Sequence, residues 1–401
     1  MHPLRNHNFR LLLGSRIFAS LSVSFFEIPI FWWLIKTTGS GTIVATVAFV
    51  SSVAYLLASP LGGVYADKGY KKRIIIIAYA IDASLTALAA YLLITAKLNF
   101  YFLLALLAIT NLATAFRSPS LGSLMPLLID KDKIQEGNAA MGLASTIAML
   151  LSAAMAGIAT SIVGPAGAIF VGAVLVLLAL IIISFLREPK IELSGLQETA
   201  KKPGIMAGVQ VLKDNPLLTA IIFMATLINF IVAPMAVLFA PYVLELGADA
   251  TTYGILSAMV VLGSFIGMLL LNFIKIKRPL LVLGWGTFGI GGALFGLAVA
   301  PSQIIAAICI MSLGFISSIL GIALSTIFQE RVAPDVLGRT MGLMTALGQG
   351  AQPAGYILAG ALLTITTARY SFAGMAVLMA LASLLWLRPS IKRQFNAAEK
   401  D

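Results

Sequence analysis

Arg16 and Glu27 stand deep inside one stretch that is otherwise apolar, Asp82 inside a second, and Arg117 just past the end of a third. A charge in hydrocarbon is costly, so such residues pair, line water or carry protons. Arg16 and Glu27 are eleven residues apart, about three helical turns, so they share a helix face at about 16 Å and cannot pair. Glu27 has Val23, Phe26, Ile28, Ile30 and Phe31 as neighbours, and nothing within one turn neutralises it. A carboxyl in such a wall can take a proton on one side of a barrier and release it on the other, if its surroundings change in between. The competing reading of Glu27 is a rim residue that only touches water. Asp82 is the second candidate proton carrier. A structural bond to a neighbouring helix or to the loop at Asp67 is set ahead of that role. Arg16 fits snorkelling to the surface as well as contact with a substrate or phosphate. Arg117 fits a loop cation as well as an interior one.

Enzymatic chemistry finds few residues to work with. The only histidines are His2 and His7, both outside the apolar stretches. The sequence has no phosphate-binding glycine loop followed by Lys-Ser/Thr, no His-Glu-x-x-His and no Gly-x-Ser-x-Gly, so no enzyme, cofactor or metal site is expected. Cys309 is the single cysteine and cannot form an intrachain disulfide.

The elements that must position these residues are membrane helices. The chain is 60% hydrophobic and 11% charged, against about 25% charged for a soluble domain, and its mean hydropathy is +0.99. A helix crosses a bilayer with about 20 apolar residues. Stretches of that kind cover 9–35, 42–66, 74–96, 99–116, 138–163 and 165–186, and then 217–244, 252–274, 280–300, 302–328, 336–365 and 370–387. The first is too long for a signal peptide and reads as a retained helix. A polar segment separates the two sets, with an amphipathic piece at 204–215. The expected organisation is an N-terminal six-helix half, 1–188, a cytoplasmic linker, 189–215, and a C-terminal six-helix half with a short tail, 216–401.

The net charge of +11 is not a nucleic-acid footprint, because the cations collect in the gaps between apolar runs. With twelve spans, every Lys and Arg outside the membrane falls on one side except Lys36, Lys97 and Arg369. That bias places both termini in the cytoplasm. The halves repeat: Met141-Gly142-Leu143 recurs as Met341-Gly342-Leu343, Lys72-Arg73 as Lys277-Arg278, and Leu186-Arg187 as Leu387-Arg388. Two such halves with a site at mid-membrane form an architecture that moves solutes by rocking. Gly263 with Gly267 and Gly292 with Gly296 suggest close helix packing. Trp32 and Trp33 suggest interface anchors, and Pro234 a kink.

Between the second and third stretches, Gly62-Gly63-Val64-Tyr65-Ala66-Asp67-Lys68-Gly69-Tyr70-Lys71-Lys72-Arg73 resembles the signature loop of major facilitator superfamily transporters, with Tyr70 where the family usually has its second glycine. Three further stretches resemble the drug–proton antiporter branch that contains macrolide and enterobactin exporters. They are Asn8-Phe9-Arg10-Leu11-Leu12, Phe116-Arg117-Ser118-Pro119 with Leu124-Met125-Pro126-Leu127 and Gly137-Asn138-Ala139, and Gln329-Glu330-Arg331-Val332 with Gly338-Arg339. The resemblance implies an all-α fold of twelve transmembrane helices in two pseudo-symmetric halves. It makes Asp67, with Lys68, Arg73 and Arg339, a latch on the cytoplasmic side. It makes the first helix a cavity wall, with Arg16, Phe26, Asn111, Arg117 and Asn229 as candidate substrate contacts. The implied activity is proton-coupled export of amphipathic small molecules by a monomer in the cell membrane, with protons and membrane lipids as its other partners and no nucleic acid. Lysophospholipid transporters are similar around Ser118-Pro119, so a lipid flippase is the alternative, followed by a carrier for small polar nutrients and a non-transporting scaffold or receptor. The chain departs from the branch in three places. Leu151-Ser152-Ala153 stands where antiporters often have Gly-Pro, the first-span acid is Glu27 where the branch often has one near Val23, and Leu85 replaces the Arg often found three residues after Asp82.

Overall fold

The computed structural model describes residues 3–67, 70–130, 133–187, 216–273, 279–331, 344 and 346–386, and among these every regular element is helical. Helix α1 is His7–Thr38, α2 is Gly41–Asp67, α3 is Lys71–Ile94, α4 is Phe100–Leu124 and α5 is Ile134–Ser184. They are followed by α6, Pro216–Val232, α7, Met235–Glu245, α8, Ala250–Phe273, α9, Pro279–Val299, α10, Gln303–Arg331, α11, Gln352–Ile365, and α12, Ala368–Leu385.

Local chemistry sets the ends. Asn6 caps α1 by accepting from the Phe9 N–H at 3.2 Å, and Asn99 caps α4 through Phe102 at 2.9 Å. A side-chain oxygen at this position satisfies one of the free N–H groups of the first turn. Gly39 closes α1 with a left-handed φ of 61° while its N–H bonds the Ile35 carbonyl, a conformation that costs glycine little. The carboxylate of Asp249 accepts from the Thr252 N–H at 2.9 Å at the head of α8, and that bond holds its carboxyl below the usual carboxylate range.

Among the described residues, ten helical segments are long and apolar enough to cross a membrane. Helix α5, with 51 residues, would run about 77 Å if straight, far beyond the ~30 Å hydrocarbon core. It is broken at Gly164, whose φ is 74° and ψ 169°, so it carries two spans and raises the number to eleven. Helix α11 has only 14 residues, about 21 Å; residues 346–350 ahead of it are also helical, while 336–343 of the expected stretch lie outside the described residues. The span at 218–245 is split into α6 and α7 by Ala233-Pro234, since proline lacks the N–H that would continue the ladder.

The chain divides into two compact units. One comprises Met1–Gln197 with Ala248–Ala258, and the other Glu198–Gly247 with Met259–Asp401. The first turns of α8 therefore belong with the first unit, and the packing explains this. A Cβ on Gly157 of α5 would lie 2.5 Å from the Ala250 carbonyl oxygen and 2.7 Å from the Gly254 Cα, so only glycine permits the approach. In the same unit α2 presses Gly62 onto the Ala115 carbonyl of α4, leaving no room for a side chain. Phe9, Leu12, Ile75, Tyr79, Leu124 and Ile183 form a buried apolar cluster.

In the second unit Gly263 of α8 lies on the Met311 backbone, and a Cβ on Gly267 would meet the Phe315 carbonyl at 2.6 Å. Gly292, in contrast, faces open space. Glu245 caps the start of α12 with both oxygens, accepting from Ala368 at 2.6 Å and Arg369 at 3.2 Å. Tyr242 donates to the Leu297 carbonyl at 2.8 Å.

Candidate functional site

Helix α1 carries polar side chains on the face it shows to α5. Ser15 donates to the Ala179 carbonyl at 3.0 Å, Arg16 Nε donates to Ser145 Oγ at 3.2 Å, and the hydroxyls of Ser24 and Ser152 are 2.8 Å apart. The pairs 16–145 and 24–152 keep nearly the same offset, so α1 and the first half of α5 run parallel in register. Three residues beyond Ser24 is Glu27. Its side chain is exposed. It makes no hydrogen bond or ion pair among the described residues. Phe26 beside it is half-buried. Trp32, five residues further along α1, is buried and stacks on Tyr253 with ring centroids 6.1 Å apart, and Lys36 Nζ lies 5.7 Å from its ring. Trp32 is therefore an interior packing residue where an interface anchor was expected, because an aromatic partner from α8 covers it.

Asp82 and Arg117 meet. The carboxylate of α3 and the guanidinium of α4 form a hydrogen-bonded ion pair in which the two side chains are 10% and 15% exposed. Arg117 also donates to Thr114 Oγ1 at 3.2 Å and lies 4.8 Å from the centre of the Tyr79 ring, a cation–π contact. Among the described residues, the other Asp82 oxygen is buried with no hydrogen-bond partner, and the Tyr79 hydroxyl is buried beside it. Arg117 is thus tied into the helix interior and is not a loop cation. The latch candidates are not brought together in what is described. Asp67 ends α2, its side chain and Lys68 and Arg339 lie outside the described residues, and Arg73 is exposed in the first turn of α3.

The remaining candidates are dispersed. Asn111 bonds its own helix at the Leu107 carbonyl, 2.9 Å away. Asn229 donates to the Ala225 carbonyl at 2.9 Å and accepts from Gln352 Nε2 at 3.3 Å. This second pair has a counterpart. Pro29 and Pro234 are 205 residues apart, as are Ser24 and Asn229; Met141 and Met341 are 200 apart, as are Ser152 and Gln352. The pairs Ser24–Ser152 and Asn229–Gln352 therefore occupy equivalent places in the two sequence repeats. The sequence marks Ser152 only as part of the Leu151-Ser152-Ala153 departure, and it does not mark Ser24, Ser145, Gln352, Tyr79 or Thr114. The repeat was the available signal for Ser24, Ser152 and Gln352, whereas nothing local marks the other three.

The family model for transmembrane secretion effectors matches residues 1–400. The chain belongs to this family of the major facilitator superfamily. Macrolide efflux protein A of Streptococcus pyogenes is 24% identical over 340 residues, 83% of each chain. The enterobactin exporter EntS of Salmonella typhimurium is 26% identical over 321 residues, 75% of this chain and 72% of EntS. Among solved structures, the nucleoside transporter NupG, in its D323A mutant, superposes with a TM-score of 0.81 at 13% identity, over 95% of this chain and 100% of that one. A bacterial homologue of the lysosomal transporter Spinster, inward-facing and occupied, superposes with a TM-score of 0.77 at 15% identity, over 99% and 98% of the two chains. At these identities the structures speak to the fold: this chain is an all-α integral membrane protein with the major facilitator fold.

Proposed function

We propose that this secretion-effector-family chain exports amphipathic small molecules through the cell membrane by alternating access, driven by protons. The observation that carries the reading is Glu27: an exposed carboxyl at membrane depth on α1, without an ion-pair partner among the described residues, on a helix whose inner face is polar. The relatives named for macrolide efflux and enterobactin export support the direction. In inverted membrane vesicles, imposing an acid interior should drive uptake of an amphipathic dye against its gradient, and a protonophore should abolish it. Uptake that ignores the protonophore would remove protons from the proposal. Absence of uptake for dyes, macrolides and catecholate siderophores alike would remove export.

The orientation proposed for the chain has both termini, the loop around Lys71–Arg73 and the segment 189–215 in the cytoplasm. The asymmetry of Lys and Arg supports it. A cysteine placed at Lys201 should resist an impermeant thiol reagent applied to intact cells and react once the cells are opened. Ready labelling in intact cells would reverse the orientation or change the number of spans.

A further inference from the structure

Among the described residues, the charges inside the membrane spans are few and all lie in the first unit. Arg16, Glu27, Asp82 and Arg117 are the set; the spans of the second unit carry formal charges only at their ends, at Glu245, Glu330, Arg331 and Arg369. Asp82 neutralises Arg117. Glu27 is about 16 Å from Arg16 along α1. Arg16 is left as a half-buried cation with no carboxylate partner among the described residues.

Its geometry argues against snorkelling. Arg16 is nine residues into α1 and Ser145 eleven into α5, and the two helices run parallel in register, so the 3.2 Å bond from Nε to Ser145 points sideways at constant depth. An arginine that reached back to the surface would spend its donors on water or headgroups there. Here Nε is fixed on α5, and Nη1 and Nη2 have no protein acceptor among the described residues. Arg117 lies 4.8 Å from the centre of the Tyr79 ring and is matched by Asp82, so that carboxylate already has its cation. A planar guanidinium held by one nitrogen presents the others as a fork suited to two oxygens of a carboxylate or phosphate.

We propose that Arg16 is the anion-recognition residue of the transport path, and that the amphiphiles this chain carries bear a carboxylate or phosphate group. The proposal rests on the transporter reading above and narrows its substrate class. Ser145 acts as a positioning residue that holds the guanidinium in the plane of the incoming oxygens. Headgroup phosphate of a lysolipid and the anionic group of a free amphiphile offer the same chemistry.

The test uses the full chain in phosphatidylcholine nanodiscs and two probes with one tail, dodecyl phosphate and dodecyltrimethylammonium, with binding followed by tryptophan fluorescence. The native protein should bind the phosphate about ten-fold more tightly or better, as charge-assisted hydrogen bonds predict. Arg16→Gln should lose that preference and leave the affinity for the cation unchanged. Arg16→Lys, which keeps the charge and protects against a folding failure, should retain the preference at reduced affinity. Ser145→Ala should weaken phosphate binding less than Arg16→Gln does. A native preference for the cation, or dodecyl phosphate binding that is unaltered in Arg16→Gln, overturns the proposal. Tighter binding of lysophosphatidylglycerol than of dodecyl phosphate assigns the anion to a lipid headgroup, and the reverse order to a free amphiphile. Anion binding without uphill transport of any probe in proteoliposomes would sink the transporter reading while leaving the Arg16 site standing. Uphill transport with an Arg16→Gln protein that behaves as native would sink this proposal alone.

Discussion

Glu27→Gln protein in proteoliposomes is expected to bind and exchange substrate but fail to concentrate it when a pH difference is imposed. The amide has nearly the size and polarity of the acid, so contacts that depend on shape survive. What disappears is the proton. Glu27 is suited to this test because its role is not shared: no hydrogen bond or ion pair from it is present among the described residues, and Arg16 on the same helix is about 16 Å away. An acid held by a partner would lose structure together with its proton, whereas an open one loses only its charge cycle. Coupling requires differential protonation between two states, and a ligand or proton shifts an equilibrium only as far as its affinities for the two states differ. In Glu27→Gln that difference is zero, so accumulation should fall to the passive level, a loss limited only by the size of the imposed gradient. Counterflow measured on the same vesicles reports whether the substrate path still operates. Uphill, pH-driven accumulation that persists in Glu27→Gln would exclude this residue as the proton carrier and return attention to Asp82.

What was legible in the sequence follows from how far each signal extends. Membrane spans are read over twenty residues at a time, and so α1 to α5 and α8 to α10 emerge from hydropathy alone. The break in α5 is also legible, since Gly164-Pro165 combines a residue that tolerates positive φ with one that cannot continue a helix. Pairing between helices is not legible in this way. Asp82 and Arg117 are 35 residues apart, and their meeting depends on α3 lying against α4, which Gly62 only helps to set by drawing α2 onto the Ala115 backbone. Ser145 looks like an ordinary small residue of an apolar run, and it acquires meaning only through the parallel register of α1 and α5. The interior position of Trp32 is hidden from the sequence, because a place near a helix end does not reveal that Tyr253, more than two hundred residues away, covers it. The internal repeat does carry the two side-chain pairs, since its offsets of 205 and 200 residues align Ser24 with Asn229 and Ser152 with Gln352.

Asp82 and Arg117 should behave as a unit in which each single loss is severe and the joint loss mild. With the two side chains only 10% and 15% exposed, Arg117→Leu leaves a carboxylate in the helix interior without its cation. Asp82→Leu leaves a guanidinium supported only by Thr114 and the Tyr79 ring. Removing one partner of a buried pair costs about 3–5 kcal/mol, because the survivor has lost water and gained nothing in return. Replacing both by apolar residues removes the survivor's penalty along with the pair, and the net change is often small. Thermal unfolding in detergent should therefore show both single variants melting well below the native protein and Asp82→Leu/Arg117→Leu recovering most of the loss, the signature of strong coupling in a double-mutant cycle. Single variants that melt like the native protein would mean that water reaches the pair and screens it. The double variant also decides between the two readings of Asp82. If the residue is structural, its reconstituted protein accumulates substrate under a pH difference as the native one does. If Asp82 carries the proton, a protein that folds normally will still fail to accumulate, and Glu27→Gln will then retain uphill transport.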